Sequence, residues 1–481
     1  MGEFLQSSPT EAAAESLTKP YDAIVVGGGT SGMAVAATLV QRGRRVILID
    51  AGPASFLTHL QNTELRFAPA LLRALRDRVR YRPALADGEF FGTNFGCLGG
   101  RGLFWNGASP RFSASDFAAW PVAAVPTESD YAWAEVQFRV TRQFGETNLA
   151  RRLNQALSQT GISFEPGPYA VETGSAADAR LGSGVASAFG FFFRIAGAAI
   201  AEGRLRVLTD CLVHRIVLDG TLAKAVEVAG DEGAQVQILG TSIVLAAGGI
   251  ESIKLAALSG LPDPAGRIGK GLQEHIFYNA LLEAPQHYDP RQVDTAILYA
   301  RAPTIVQQQW ELHAPGNRMF AIDDGTNWQP AAGAPYQIMI RSFAGTEKRD
   351  ANHVESQPGG LGSATVHFSY TPRDQETMEA MKADALRIAA ALDAAPADAV
   401  PLDAPQRIRA PGSSYHEAGG LDMGIDLDRS VTDPSGVFHA VPNLVSADAA
   451  SFPMIGATNP HLTLLASARR KALALNERLN A

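Results

Sequence analysis

The sequence predicts a mixed α/β (α+β) fold. A Rossmann-like dinucleotide-binding domain carries a second, antiparallel-sheet lobe inserted into it. Three observations carry this expectation. A G-x-G-x-x-G run, formed by Gly27, Gly29 and Gly32, lies between a buried-strand pattern and a helix pattern. Buried-strand patterns that meet a glycine or acidic turn recur in mid-chain, at IVLAAGGIES, and late, at NLVSADAASFP. The stretch between these two mixes strand-like runs with scattered aromatics.

Taken in chain order, residues 1–20, MGEFLQSSPTEAAAESLTKP, are polar and rich in Ala and Ser. They have no basic n-region and no apolar h-region, so they predict a loose N-terminal tail and no signal peptide. YDAIVVGGG then reads as a buried parallel strand, TSGMAVAATLVQRG as a helix of small residues packed on a sheet, and RRVILIDAG as a second strand ending at Asp50 and Ala51. In this βαβ unit Gly27 permits the tight turn, Gly29 lets backbone approach a pyrophosphate, and Gly32 lets the helix sit close to the sheet. Thr30 and Ser31 open that helix, whose free amides and positive dipole end suit phosphates. Asp50 follows at the spacing that reaches a ribose hydroxyl. A plain glycine-rich turn, in a sequence with 46 glycines, would leave Asp50 unexplained.

Residues 56–90 carry helical and loop patterns, and residues 91–112 are Gly-rich and irregular. Residues 146–165 and 185–203 look helical, and RLRVLTDCLVHRIVLDGTLAKAVEVAG alternates like antiparallel strands. QETMEAMKADALRIAAALDAA is an amphipathic helix, and residues 393–405 have loop composition. The predicted domains are therefore 21–280 for the dinucleotide-binding domain, 281–410 for the substrate-binding lobe, and 411–481 for the return to the first domain.

Composition narrows the class. Hydrophobic residues make up 46% of 481 residues, ample for a large core. The net charge of −8 argues against a nucleic-acid binder, and the one Arg-rich run, LRALRDRVRYRP at 72–83, reads as a solvated helix face. Cys97 and Cys211 form no disulfide framework and show no metal spacing, which fits a reducing compartment. No apolar run reaches the roughly 18 residues of a membrane span, so the expectation is a soluble, cytoplasmic protein. A simple two-lobed NAD enzyme needs neither the mid-chain strand nor the late one. FAD is longer and needs extra segments along its ribityl chain and ring, so the cofactor expected is FAD.

YDAIVVGGGTSGMAVAATL, LGGRGLFWNGASPRF, VHRIVL with IVLAAGGIES, IGKGLQEHIF, HFSYTPRD, SYHEAGG and NLVSADAASFP with NPHLT together resemble the glucose–methanol–choline (GMC) oxidoreductases over nearly the whole chain, most weakly at 285–365. LGGRGLFWNGASPRF is most similar to the pyranose-oxidase branch. The resemblance implies that Gly99 and Gly100 pass close to the flavin, within a cofactor loop that also holds Arg101, Gly102, Trp105, Asn106, Gly107 and Ala108. It implies that Val213 sets its backbone against the adenine, and it adds Ala247 and Gly248 to the cofactor site. Asp448 and Ala449 would sit near the ribityl and phosphates. Asn459 and Pro460 would open the last helix beside the pyrimidine ring, with His461 giving a main-chain contact. Two departures stand out. Phe104 occupies the place where flavinylated relatives carry a bonding His, so non-covalent FAD is expected. Arg101-Gly102 replaces the usual Ser pair.

Alcohol oxidation removes a proton from oxygen and a hydride from carbon, which calls for a His base and an amide donor to hold the alkoxide. The resemblance assigns His416 as the base and Asn459 as the donor, although Asn459 also suits a helix cap. The expected reaction takes a secondary alcohol of a sugar or glycoside to a ketone, with O2 or another electron acceptor. The alternatives are the same chemistry on an aryl or natural-product alcohol, a flavin-containing lyase without net redox, and a nucleotide-binding module that His416 and Asn459 speak against. No metal is expected. His59, His287, His313 and His353 are assigned no role, His275 a structural contact, and His439 an exposed position. His461 lies beside the site in sequence. Trp310, Trp328, Tyr336 and Phe343 offer rings for a sugar or fill the core, and Glu417 either orients the base or faces water.

Overall fold

The computed structural model describes residues 8–63, 94–171, 185–230, 233–287, 295–302, 308–314, 335–356 and 364–480, with a few positions between 70 and 81. Trp328 and most of the 72–83 run lie outside the described residues, as do the side chains of Tyr336 and His287.

The first sheet grows from the predicted βαβ unit. β1 (Tyr21–Val26) and β2 (Val46–Ile49) are parallel and joined by α2 (Thr30–Gln41), a helix buried along almost its whole length. That burial explains its Ala- and Val-rich sequence: small side chains let a helix lie tightly against the sheet, and no face needs to be polar. β3 (Leu205–Leu208) adds to the edge of β2 in parallel, which differs from the antiparallel reading of that run. Its LRVL sequence buries three of four side chains, as a covered parallel strand does. β4 (Val213–Asp219) and β5 (Leu222–Ala229) form the antiparallel hairpin that the alternation predicted.

β6 (Gln235–Leu245) ties these parts together. Its first half pairs antiparallel with β5, and its second half runs parallel to β1. The pattern changes at the same place, from alternating exposure to a fully buried SIVL run. β14 (Val441–Ser446) lies parallel on the other side of β6, with the short β13 (Val437–Phe438) at the edge.

The second sheet is antiparallel. β7 (His275–His287) pairs with β10 (Pro335–Gly345), β10 with β9 (Gln308–Ala314), and β9 with β8 (Ala296–Ala302). Short edges at Ala395–Pro396 and Phe164–Pro166 close its two sides. α7 (Pro372–Ala391) covers one face through Met381, Ala385 and Ile388, and Thr371 and Asp374 form a capping box at its start. The last helix, α8 (His461–Arg478), returns to pack on α2 beneath the first sheet.

The N-terminal expectation needs correction. Pro9–Thr18 is not a loose tail but a helix, α1, docked on β6. Ser8 caps it by accepting from Glu11 N–H, and Pro9 sits at the first helical position, where its missing N–H costs nothing. It docks through Ala12, Ala13 and Ser16, small residues that give little apolar signal in the sequence. Ser16 is fully buried, donates to Ala13 C=O at 2.7 Å and accepts from Leu239 N–H at 3.0 Å. Replacing Ser16 with Ala should orphan the Leu239 N–H and cost about 1–3 kcal/mol, read as a lower thermal midpoint. An unchanged midpoint would mean that α1 does not hold β6.

Candidate active site

One cavity of about 880 Å³ runs from the glycine loop to the junction of the two sheets, near the upper end of the roughly 300–1,000 Å³ typical of ligand sites. Its first end is the β1–α2 turn. Gly27 has φ +103, and a side chain there would strike the backbone of Ala246 and Ala247. A side chain at Gly32 would strike the carbonyl of Gly27, so α2 sits as close as the glycine pattern requires. Gly29, by contrast, faces open space on the cavity wall and caps α2 with no side chain. Ser31 Oγ on the same wall is buried without a partner among the described residues. This cradle of helix amides and an orphan hydroxyl fits a pyrophosphate. Asp50 is also on the wall; it accepts from Gly28 N–H at 2.7 Å and Gly52 N–H at 2.9 Å, and burial raises its pKa.

The middle of the cavity is built by three segments. Gly100–Asn106 and Ala108 supply most of one side. Phe104 lines it and stacks on Phe95 at 4.1 Å, so the ring at that position is packed carbon with no bonding nitrogen. Trp105 is fixed by its indole N–H on Ala186 C=O at 2.7 Å. Ala246–Gly249 and Asp448–Ala449 face this loop. Asp448 accepts from Gly248 N–H at 2.9 Å, Ser252 Oγ–H at 2.5 Å and Ala450 N–H at 3.1 Å. It therefore ties the end of β14 to the start of α6 (Gly249–Leu258), and burial raises its pKa. Several expected positions lie off the cavity wall: Gly32, Ala51, Gly99, Gly107 and Val213. A side chain at Gly99 would meet Phe189 and Leu103, and one at Gly107 would meet the Tyr169 ring, so both serve packing. Val213 is core of the first sheet, and Ala51 is exposed.

His416, Asn459, Pro460 and His461 all meet at the far end. The structure adds partners there that the sequence did not reveal. His416 Nδ1 lies 2.9 Å from His275 Nδ1, and His275 Nε2 lies 3.1 Å from the Gly456 carbonyl. A carbonyl only accepts, so His275 carries its proton on Nε2. Burial lowers the His275 pKa to about 4, so at neutral pH its Nδ1 is a bare acceptor. His416 must then donate from Nδ1, which leaves the lone pair of His416 on Nε2. Burial, followed by the charges of His275 and Arg101, holds the His416 pKa well below its ordinary value. The expected structural contact of His275 is thus specific: it fixes the tautomer of His416.

Asn459 does not cap α8, whose N-cap is Pro460 without a side-chain bond. Its backbone N–H donates to Gln309 Oε1 at 3.1 Å, and its Oδ1 accepts from Gln309 Nε2 at 3.4 Å. His461 turns to Thr30 Oγ1 at 2.9 Å, and its ring packs tilted against Trp105 at 4.1 Å, locking α8 to the glycine loop. Burial lowers its pKa to about 3, so the ring is neutral. His59, without an assigned role, is buried against Trp105 C=O at 2.8 Å.

Glu417 does not face water. It is 2% exposed and ion-paired with Arg101, whose guanidinium also holds Tyr415 C=O at 2.6 Å. That clamp fixes Tyr415 in a left-handed conformation, φ +63, which a bulky residue adopts only under constraint. The Arg101-Gly102 departure thus has a structural reason: Arg101 aims the His416 loop, and a side chain at Gly102 would meet Thr30 Oγ1. Behind it lies Glu274, fully buried and bonded to Ser414 Oγ; burial and the Glu417 charge raise its pKa. Asp116 was also missed. It accepts from Ala457 N–H and Thr458 Oγ–H, both at 2.8 Å, and shapes the loop that carries Gly456 and Asn459. Trp310 is core and donates to Asp384, whereas Phe343 lies on the wall beside His416.

Comparison with known proteins follows the same outline. Two family models described as GMC oxidoreductase match, the C-terminal one over residues 349–468 and the N-terminal one over 194–277. A model described as an NAD(P)-binding Rossmann-like domain matches residues 25–58. No curated protein matches. Among solved structures, pyridoxine 4-oxidase from Mesorbium loti is similar with a TM-score of 0.69 and 22% identity, over 94% of this chain and 99% of that one. A formate oxidase mutant from Aspergillus oryzae RIB40, described for its effect on FAD modification, gives 0.69 and 14%, over 95% and 98%. At these identities the likeness is one of fold.

Substituting His275 with Leu should remove the acceptor of His416 Nδ1–H and free the wrong tautomer. The turnover number should fall by tenfold or more, toward the roughly 10⁴-fold loss that a wrong tautomer causes elsewhere. Steady-state assays on protein with unchanged flavin absorbance test this, and near-normal turnover would remove His275 from the argument.

Proposed function

The chain belongs to the GMC oxidoreductase family, and from that premise we propose that it oxidises a secondary alcohol of a sugar or glycoside to a ketone with FAD as cofactor. The observation that carries this reading is the tautomer line from Gly456 through His275, which leaves His416 Nε2 as a basic nitrogen in a cavity that begins at a dinucleotide loop. FAD, when bound, supplies the hydride acceptor. Gly27–Ser31 and Asp50 would hold its pyrophosphate and ribose end, and Asp448, Ala449 and the start of α8 its reactive end.

His416 Nε2 takes the hydroxyl proton of the substrate. The Oδ1 of Asn459 is engaged by Gln309, which leaves its Nδ2 donors to meet the oxygen as negative charge develops. The positive end of the α8 dipole adds to this at the same place. Asn279 on the cavity wall has a buried Oδ1 without a partner among the described residues, an acceptor for a further substrate hydroxyl. Gln406, Arg409 and Ser413 add polar groups that suit a polyol. The Phe277 and Phe343 rings, stacked at 4.8 Å on the same wall, give a face for a pyranose and equally favour an aryl alcohol as a second reading.

Replacing His416 with Ala should lower turnover by about 10²–10⁴-fold while FAD stays bound. The depressed His416 pKa keeps the base unprotonated at neutral pH. The kcat/KM of the parent should therefore stay flat from neutral pH down through the ordinary histidine range and decline only in more acid solution. Anaerobic mixing with glycosides and with benzyl-type alcohols, followed at the flavin bands, separates the two substrate readings. Bleaching by neither would overturn the alcohol reading. Phe104 predicts that acid precipitation releases all yellow colour into the supernatant; flavin retained in the pellet would contradict non-covalent binding.

A further inference from the structure

Off the cavity wall, a small two-stranded sheet joins β11 (His353–Ser356) to β12 (Ala364–His367). Val354 and Val366 are paired across it and buried in the core that contains Ile250 and Ile253 of α6. Strand alternation then puts His353, Glu355 and His367 together on the opposite face. His353 and His367 are direct cross-strand partners with rings stacked at 4.3 Å, and Glu355 Oε2 lies 3.3 Å from His367 Nε2.

We propose that His353, Glu355 and His367 form a binding site for a divalent transition-metal ion of the Zn²⁺ or Cu²⁺ class. One ligand atom from each residue lies within 4.8 Å of the others. Ligand atoms around a tetrahedral ion stand about 3.3 Å apart at metal–nitrogen bonds of roughly 2.0–2.1 Å. The three side chains are exposed or half-buried, so their rotation can close the difference. A second observation supports the assignment. His353 Nδ1 lies 3.0 Å from the Ala351 carbonyl, so its N–H is engaged and its Nε2 carries the lone pair. An imidazole that ligates a metal is held in this way, by a backbone acceptor on its other nitrogen. Two imidazoles and one carboxylate suit Zn²⁺ and Cu²⁺ better than Mg²⁺ or Ca²⁺, and three protein ligands leave one position for water.

The site has a use on this sheet. A two-stranded sheet is marginal alone. An ion shared by β11 and β12 clips them together on the outside while Val354 and Val366 hold them from within. The clip reinforces the support of α6, whose first turn borders the cavity. Sequence spacing conceals the site because the two histidines are on separate strands.

Equilibrium dialysis of the untagged flavoprotein against ZnCl2, with electron paramagnetic resonance of the CuCl2-loaded protein, tests the proposal. We expect one saturable equivalent and a copper spectrum with imidazole nitrogen coupling. Affinity should fall more than about tenfold in His353→Ala and in His367→Ala, and to a smaller degree in Glu355→Gln. His439→Ala, a histidine bonded to Ser430 elsewhere, should bind as the parent does. Circular dichroism checks that each variant is folded, and Glu355→Gln keeps the shape of the side chain if a histidine variant does not fold. Unchanged uptake in the folded variants, or no saturable binding to the parent, would overturn the site.

Discussion

The contact between His275 and His416 is where the two sheets meet chemically. His275 is the first residue of β7 in the antiparallel sheet. His416 and the Gly456 carbonyl belong to loops that lead back to β14 and α8 of the parallel sheet. The proton state of His416 is therefore set by the seating of one sheet on the other. The surrounding bonds serve this seating: Asp116 shapes the Gly456 loop, Arg101 clamps Tyr415, and Gln309 of β9 holds Asn459. A small rotation between the sheets would lengthen a 2.9 Å contact and loosen the tautomer before it disturbed either core.

Burial is the force that keeps the site neutral. His275, His416 and His461 are all pushed below the ordinary histidine range, chiefly by desolvation, while Glu274 is pushed up. Arg101 is ion-paired with Glu417, and the charges of Arg101 and Arg341 add to the depression of the His416 pKa. With its pKa held down in this way, the His416 imidazole stands unprotonated at neutral pH, the state a general base requires.

The βαβ unit was legible because every part of its signal is local: the turn, the helix and Asp50 lie within 30 residues of each other. That His416 and Asn459 meet in one cavity was legible only through the family resemblance, since nothing in the spacing of a lone His or Asn separates a cavity residue from a surface one. The bonds that orient them were not legible: the resemblance left His275 as an unspecified structural contact and Glu417 with two readings. His275, Gln309 and Asp116 reach them across more than a hundred residues, and only tertiary structure brings them together. α1 was misread for a different reason. It docks through Ala and Ser, so packing without large apolar side chains looked like disorder. Trp310 shows the converse, a large aromatic whose place is the core.

The two-way pairing of β6 has a consequence for how the chain is made. Ile24 of β1 must find Ile243 of β6, and Ile243 must in turn find Leu444 of β14. During synthesis β1 emerges with one flank open, and the wall formed by Asp448, Asn459 and α8 arrives last. Until then the apolar edge of β1 and β6 is exposed to other chains, and parallel pairing over such separations is slow to close. A nascent chain of this design has reason to depend on chaperones. Held as proposed above, by early and late segments together, FAD would act as a template that gathers them.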